Sequence, residues 1–210
     1  FTVSVTDGEY TDSQIITVTV NAVNDAPIAT TGLSALTNED QSVVVTLSGS
    51  DIDGDAITFS ITSDALDGSV SLDGSFATYT PNTDFNGSDS FTFSVSDGEY
   101  SASASVDVNI TPVNDAPVLA LVSDVSFDED GSGSASLSGS DVDGDQLTYD
   151  ITGGTDIVTT VDGSDISFNA PLNFNGSESF TVSVTDGEYT DSQIITVTVN
   201  AVNDAPTADA

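Results

Sequence analysis

The chain has 210 residues, with 35 acidic side chains and no Lys, Arg or His, giving a formal net charge of −35. No salt bridge between side chains can form, so a cation that neutralises a carboxylate must come from solvent, and nucleic acid and anionic lipid are both repelled. The absence of Cys, His and Lys also excludes thiol, imidazole and Schiff-base catalysis, Ser-His-Asp triads and soft-ligand zinc sites, which leaves hard oxygen chemistry.

No stretch reaches the roughly 18 apolar residues of a membrane span, so no membrane insertion is expected, and no basic segment precedes an apolar one as in a cleavable signal. The chain opens in mid-strand without an initiator Met, which reads as a slice of something longer. Residues 1–27, "FTVSVTDGEYTDSQIITVTVNAVNDAP", recur unchanged at 180–206, and a looser copy at 91–117 keeps 15 of the 27 positions. Internal repetition on this scale divides a chain before any fold is considered. The "NDAP" phrases mark the boundaries. They give the closing hairpin of one repeat at 1–27, full repeats at 28–117 and 118–206, and the start of another at 207–210.

In chain order, the first segment alternates Phe1, Val3 and Val5 with Thr and Ser, the period of a half-buried strand. The Asp-Gly of "DGEY" then turns the chain into a second alternating strand, so 1–20 reads as a hairpin. The same pair returns at 91–110, where Phe91, Phe93 and Val95 oppose Val106, Val108 and Ile110. Ahead of the last hairpin, β-rich runs fall around 119–127, 133–139, 146–152, 156–161 and 165–169. Seven short strands in about 90 residues, broken by Gly, Asp, Asn and Pro, predict an all-β fold of tandem Greek-key β-sandwiches. A unit of this size sits near the lower limit for comfortable stability, and bound metal is one way to raise it.

Chemistry is concentrated in "SGSDIDGDAITF" at 48–59 and its twin "SGSDVDGDQLTY" at 138–149. Alternate carboxylates, Asp51, Asp53 and Asp55 in one loop and Asp141, Asp143 and Asp145 in the other, can converge because Gly54 and Gly144 permit a bend. Calcium takes six to eight oxygens at about 2.3 to 2.6 Å, a set such a loop can begin to supply. The spacing is not that of an EF-hand, which needs Gly at its sixth position and Glu at its twelfth. A single motif of this kind reads equally as an acidic turn kept wet. Its recurrence in a chain without basic side chains favours metal.

The ordered set "VNDAP", "NED" or "DED", "SGSDxDGDxxT", "FNGS" and "FxVSVxDGEY" resembles the cadherin-like and immunoglobulin-like tandem repeats of very large bacterial surface adhesins. Many of these are RTX adhesins secreted by a type I route. The resemblance spans essentially the whole chain and implies seven-stranded sandwiches strung end to end, with calcium at the junctions. Carried onto this sequence, the junction between the two full repeats would take Glu39, Asp84 and Asn86 from above. Asn114 and Asp115 would come from the linker, and Asp141, Asp143, Asp145 and Asp186 from below. The preceding junction would use Asn24, Asp25, Asp51, Asp53, Asp55 and Asp97, and the last would offer Glu129, Asn203 and Asp204. A linker shorter than the animal cadherin form implies about one or two ions per junction.

The implied function is that of extender repeats in a bacterial cell-surface adhesin, rigidified by calcium, which project a distal binding region; the partners are then calcium ions and adjacent repeats of the same chain. The alternative is that the repeats themselves bind an extracellular glycan or a homophilic partner in cell–cell or biofilm adhesion. That would need an exposed aromatic patch, and most Phe fall at inward-facing strand positions. An enzyme working through paired carboxylates is disfavoured, because an active site normally breaks the symmetry of a repeat and these clusters recur at matched positions.

Overall fold

The computed structural model describes residues 1–206; the segment 207–210, expected to open a further repeat, lies outside the described residues. All regular structure among the described residues is strand, and the chain separates into two compact units, Phe1–Pro112 and Val113–Ala210.

The first unit contains β1 (Thr2–Thr6), β2 (Thr11–Ile15), β3 (Ile28–Ala29), β4 (Leu33–Asn38), β5 (Val43–Thr46), β6 (Gly49–Ser50), β7 (Thr58–Ser63), β8 (Gly68–Asp73), β9 (Phe76–Pro81), β10 (Gly87–Ser96) and β11 (Ser101–Thr111). The second contains β12 (Val118–Leu119), β13 (Val125–Asp128), β14 (Ser132–Ser136), β15 (Gly139–Ser140), β16 (Thr148–Gly153), β17 (Val158–Asp162), β18 (Asp165–Asn169), β19 (Gly176–Thr185) and β20 (Thr190–Asn200).

Each full repeat is a sandwich of a four-stranded and a three-stranded sheet, with a two-residue ribbon at one end. The orders are β4-β11-β10-β7, β5-β9-β8 and β3-β6 in the first unit. In the second they are β13-β20-β19-β16, β14-β18-β17 and β12-β15. The seven strands of the two main sheets are those the alternating pattern predicts. The hairpin β10-β11 is the backbone of the first sandwich: its register runs from Gly87 opposite Ile110 to Ser96 opposite Ser101. Period 2 then sends Phe91, Phe93 and Val95 of one strand and Val106, Val108 and Ile110 of the other into the core, all 2 % exposed or less. Each such Phe, Val or Ile contributes about 1.5–3 kcal/mol by leaving water. In the second sandwich Phe180, Val182, Val184, Ile195, Val197 and Val199 occupy the equivalent places.

Two of the expected runs are broken in the fold. The run at 119–127 divides into β12, which pairs with β15, and β13, which lies parallel to β20 in the other sheet. Between them the chain crosses from one sheet edge to the next, and side chains replace the ladder: Leu119 N–H donates to Asp191 Oδ2 at 2.8 Å and Val122 N–H to Gln193 Oε1 at 2.7 Å. The run at 133–139 stops at Ser136, because Leu137 N–H donates to Ser164 O at 2.7 Å and Gly139 and Ser140 pair with β12. Hydrophobic spacing carries no mark of such a sheet switch, since buried side chains continue on both sides of it.

Candidate metal centre

The acidic loops lie at one end of each sandwich, immediately after the ribbon strands β6 and β15. In the first, Asp51 Oδ1 accepts the backbone N–H of Asp53 at 2.9 Å and of Asp55 at 3.4 Å. Gly54 makes this closure possible with φ at +84°, a conformation that costs glycine nothing. The second loop repeats it: Asp141 Oδ1 accepts from Asp143 N–H at 3.0 Å and Asp145 N–H at 3.3 Å, with Gly144 at φ +78°. One carboxylate oxygen of each leading Asp therefore shapes the loop. The other, Oδ2 of Asp51 and of Asp141, is buried and has no hydrogen-bond partner.

A buried carboxylate oxygen left unpaired is costly, and no basic side chain exists to relieve it. Asp51, Asp53 and Asp55 each present a carboxylate oxygen within 4.8 Å of the other two. Oxygens that share one calcium at about 2.3–2.6 Å stand no farther apart than about 5 Å, so these residues fit the ion the sequence implies.

The linkers are fastened to these loops from their own side. Asp25 N–H donates to Asp53 Oδ2 at 2.8 Å, and Asp115 N–H to Asp143 Oδ2 at 2.7 Å. Asn24 Nδ2 donates to Asp97 Oδ2 at 3.0 Å, and Asn114 Nδ2 to Asp186 Oδ2 at 2.9 Å. Asp97 and Asp186 head the turns between the last two strands of each repeat. Their Oδ1 atoms already accept two backbone N–H groups each, those of Glu99 and Tyr100 and of Glu188 and Tyr189. The Tyr100 and Glu99 amides hold the Asp97 carboxyl below its usual range. At Asp186 burial pushes upward, but Asn114 and the Tyr189 and Glu188 amides prevail and lower it. Both side chains thus join the centre through the linker Asn that each one grips.

At the opposite end of each sandwich sits a buried Glu: Glu39 is 4 % exposed and Glu129 8 %. Asn86 Nδ2 reaches Glu39 Oε2 at 3.4 Å, and Asn175 Nδ2 reaches Glu129 Oε2 at 3.3 Å. Glu129 Oε1 also accepts the backbone N–H of Val202 in the following linker. Asp84 is exposed; its N–H donates to Asp40 Oδ1 at 3.2 Å, as Asn173 N–H does to Asp130 Oδ1 at 3.0 Å. All four of these residues have φ between 57° and 63°, a left-handed conformation that Asp and Asn tolerate better than other side chains. In the last linker, Asn203 Nδ2 donates to Asp204 O at 3.2 Å, and both residues are exposed.

Sequence reasoning passed over Asp40 and Asp130, although each directly follows its buried Glu in "NED" and "DED". It also passed over Asp89 and Glu178, which stand at matched places in "SDSF" and "SESF". Glu178 accepts the backbone N–H groups of Thr155, Asp156 and Ile157 at 2.9–3.1 Å and the Thr155 hydroxyl at 2.7 Å. Burial pushes its pKa up, but these donors bring it down to about 2. Asp89 likewise accepts from Leu66 N–H, Asp67 N–H and the Tyr79 hydroxyl. These two carboxylates organise the loops that donate to them.

No curated protein sequence matches the chain. Among solved structures it is similar to human protocadherin-24 EC1-2 in its second crystal form, at 16 % identity and TM-score 0.56, over 84 % of this chain and 100 % of that one. Human mucin-like protocadherin EC1-2 aligns at 17 % identity and TM-score 0.51, over 84 % of this chain and 98 % of that one. These likenesses establish the fold. An endo-fucoidan hydrolase of glycoside hydrolase family 107 aligns over 97 % of this chain at 21 % identity, but this chain spans only 34 % of its length and the TM-score is 0.39. The bacterial Ig domain matches the sequence twice in succession, at 24–111 and 114–198, and the chain belongs to that family.

Proposed function

We propose that the two repeats are calcium-rigidified extenders of a large bacterial extracellular adhesin or surface fibre, holding a distal binding region away from the cell. The observation that carries this reading is the pair of buried, unpartnered oxygens, Asp51 Oδ2 and Asp141 Oδ2, at matched positions in a chain with no basic side chain. Each needs a cation, and the cation must come from outside.

The residues around them already do half of the work. Asp51 and Asp141 fold their loops, in the first of which the three carboxylates lie within 4.8 Å of one another, and Asp53 and Asp143 catch the backbone of the linker. Asp97 and Asp186 hold the linker Asn. At the far end of the second repeat, Glu129 grips the next linker through Val202 N–H. The ligand set proposed for the loop end is Asn24, Asp25, Asp51, Asp53 and Asp55, with Asn114, Asp115, Asp141, Asp143 and Asp145 as its counterpart. Glu39, Asp84 and Asn86 of the first repeat, and Glu129 with Asn203 and Asp204 of the second, would contribute from the base. Calcium bound there would supply the positive charge the polypeptide lacks and remove hinge freedom from the linker, turning flexible spacing into reach.

Small-angle scattering and thermal melts with calcium and with a chelator test this directly. Calcium should raise the melting temperature and lengthen the particle. Superimposable curves in the two conditions would end the proposal.

A further inference from the structure

Of the 12 Asn in the chain, only Asn86 and Asn175 are followed by Gly, and both stand in the phrase Phe-Asn-Gly-Ser. Each sits against the buried Glu of its own repeat. Asn86 Nδ2 lies 3.4 Å from Glu39 Oε2 and Asn175 Nδ2 3.3 Å from Glu129 Oε2, past the ordinary range of an N–H···O hydrogen bond. Such a contact holds the amide weakly, so the side chain is free to turn.

Gly87 and Gly176 are the first residues of β10 and β19, where the ladder begins, and their φ angles are +132° and +152°. With no Cβ, neither residue shields its own backbone nitrogen. The space beside them is open: a Cβ added at either would find its nearest non-adjacent neighbour at 3.6 Å, on the ring of Phe85 or Phe174.

We propose that Asn86 and Asn175 are sites of spontaneous deamidation, which turns the amide beside each buried Glu into a second carboxylate. The backbone nitrogen of the Gly attacks Cγ of the Asn. The N–Cγ bond forms, the Cγ–Nδ2 bond breaks, and ammonia leaves with the proton of the attacking nitrogen. The product is a cyclic succinimide. Water then opens the ring, giving Asp when the new N–Cγ bond breaks and isoaspartate when the original peptide bond does. One water is consumed and one ammonia released, and no oxidant, reductant or cofactor takes part.

The exchange changes what the buried Glu faces. Where a donor stood there is now an acceptor of like charge, in a chain with no basic side chain to set between them. One of the two carboxylates must take a proton, withdraw into solvent or share a cation. A modified repeat therefore depends on a bound cation more than a fresh one does. That dependence rests on the calcium reading given above; the covalent step does not.

The test ages the full chain in mildly alkaline buffer with a chelator, digests it at Asp and Glu, and maps by mass spectrometry every site where NH2 has been replaced by OH. In water enriched in heavy oxygen, the products at 86 and 175 should carry the label. Conversion there should run at least about ten times faster than at any other Asn, a barrier lower by about 1.4 kcal/mol. In Asn86→Gln/Asn175→Gln an amide remains, but the longer side chain closes a ring less readily, so the signal at both sites should vanish. Equal rates at all Asn overturn the proposal. So does an unchanged 86 and 175 under conditions that convert the free peptide Phe-Asn-Gly-Ser.

The encoded variant Asn86→Asp/Asn175→Asp separates the new charge from isoaspartate. In chelator it should melt below the parent chain, and calcium should close the gap. Melting together with the parent chain in chelator overturns the assigned consequence. A lower melt in chelator that calcium fails to close leaves the modification and its charge effect standing and counts against the extender reading instead.

Discussion

Asp51 uses one carboxylate oxygen to fold its own loop and leaves the other buried without a partner. An Asn at this position keeps the first role and discards the charge, which separates the two functions in one substitution. Asp51→Asn should lower calcium affinity at that loop by at least about tenfold in a calorimetric titration, a loss of about 1.4 kcal/mol. In chelator the sign reverses: with no ion to compensate, removing a buried charge should leave the melting temperature equal to or above that of the parent chain. Glu178 behaves differently, because its partners are amides and a hydroxyl within its own repeat. Its folded pKa of about 2 lies below its ordinary value of 4.5. The stability it contributes is therefore fully present above pH 4.5 and is lost as the pH falls through about 2. Denaturant unfolding of the parent chain between pH 5 and 2 should show this slope, and Glu178→Gln should flatten it while costing roughly 1–3 kcal/mol at neutral pH.

Among elements, the hairpin that closes each sandwich decides most, and its weight depends wholly on what packs against it. Phe180→Ala should destabilise the second repeat by about 3–5 kcal/mol, as large-to-small changes in a core do. Melting curves of the variant and the parent chain make the comparison. Elsewhere the loop clamps impose their own packing limits. A Cβ at Gly68 would lie 2.6 Å from the Tyr79 ring and 2.7 Å from Thr80 O, so Gly68→Ala should cost roughly 1–3 kcal/mol by overpacking. The alternating pattern made the long strands β10, β11, β19 and β20 legible directly, because their buried and exposed positions follow period 2 almost throughout. The ribbons and the split first strand were not legible, because two-residue strands are too short to show a period and their pairing depends on residues far along the chain.

At the scale of the whole molecule, a net charge of −35 with no basic side chain makes the compact state self-repelling. In chelator the melting temperature should rise with sodium chloride and level off once screening is complete. In calcium the same salt series should be flatter, since ions held among carboxylates already offset the repulsion where it is most concentrated. Equal salt slopes in the two buffers would mean that calcium acts only as diffuse ionic strength. The duplication also bears on behaviour at this scale. Under the proposed reading, two full repeats that each carry an acidic loop, a linker contact and a buried basal Glu would both take the ion, so a calcium isotherm should be fitted by few distinct affinities.

By itself the sequence determined the repeats, the sandwich class, the inward faces of the long strands and the loops where carboxylates crowd. Each of these is a local pattern: a period of two, an Asp-Gly turn, or a phrase that returns. The tertiary structure alone decided which oxygen of Asp51 and Asp141 is left unpartnered, and that Asp97 and Asp186 seize the linker Asn. It also decided that Glu178 serves a loop. The reason is physical distance along the chain. Asn114 and Asp186 are 72 residues apart, and only closure of the sheets brings such groups within the few ångströms over which a hydrogen bond, a shared ion or a buried face acts.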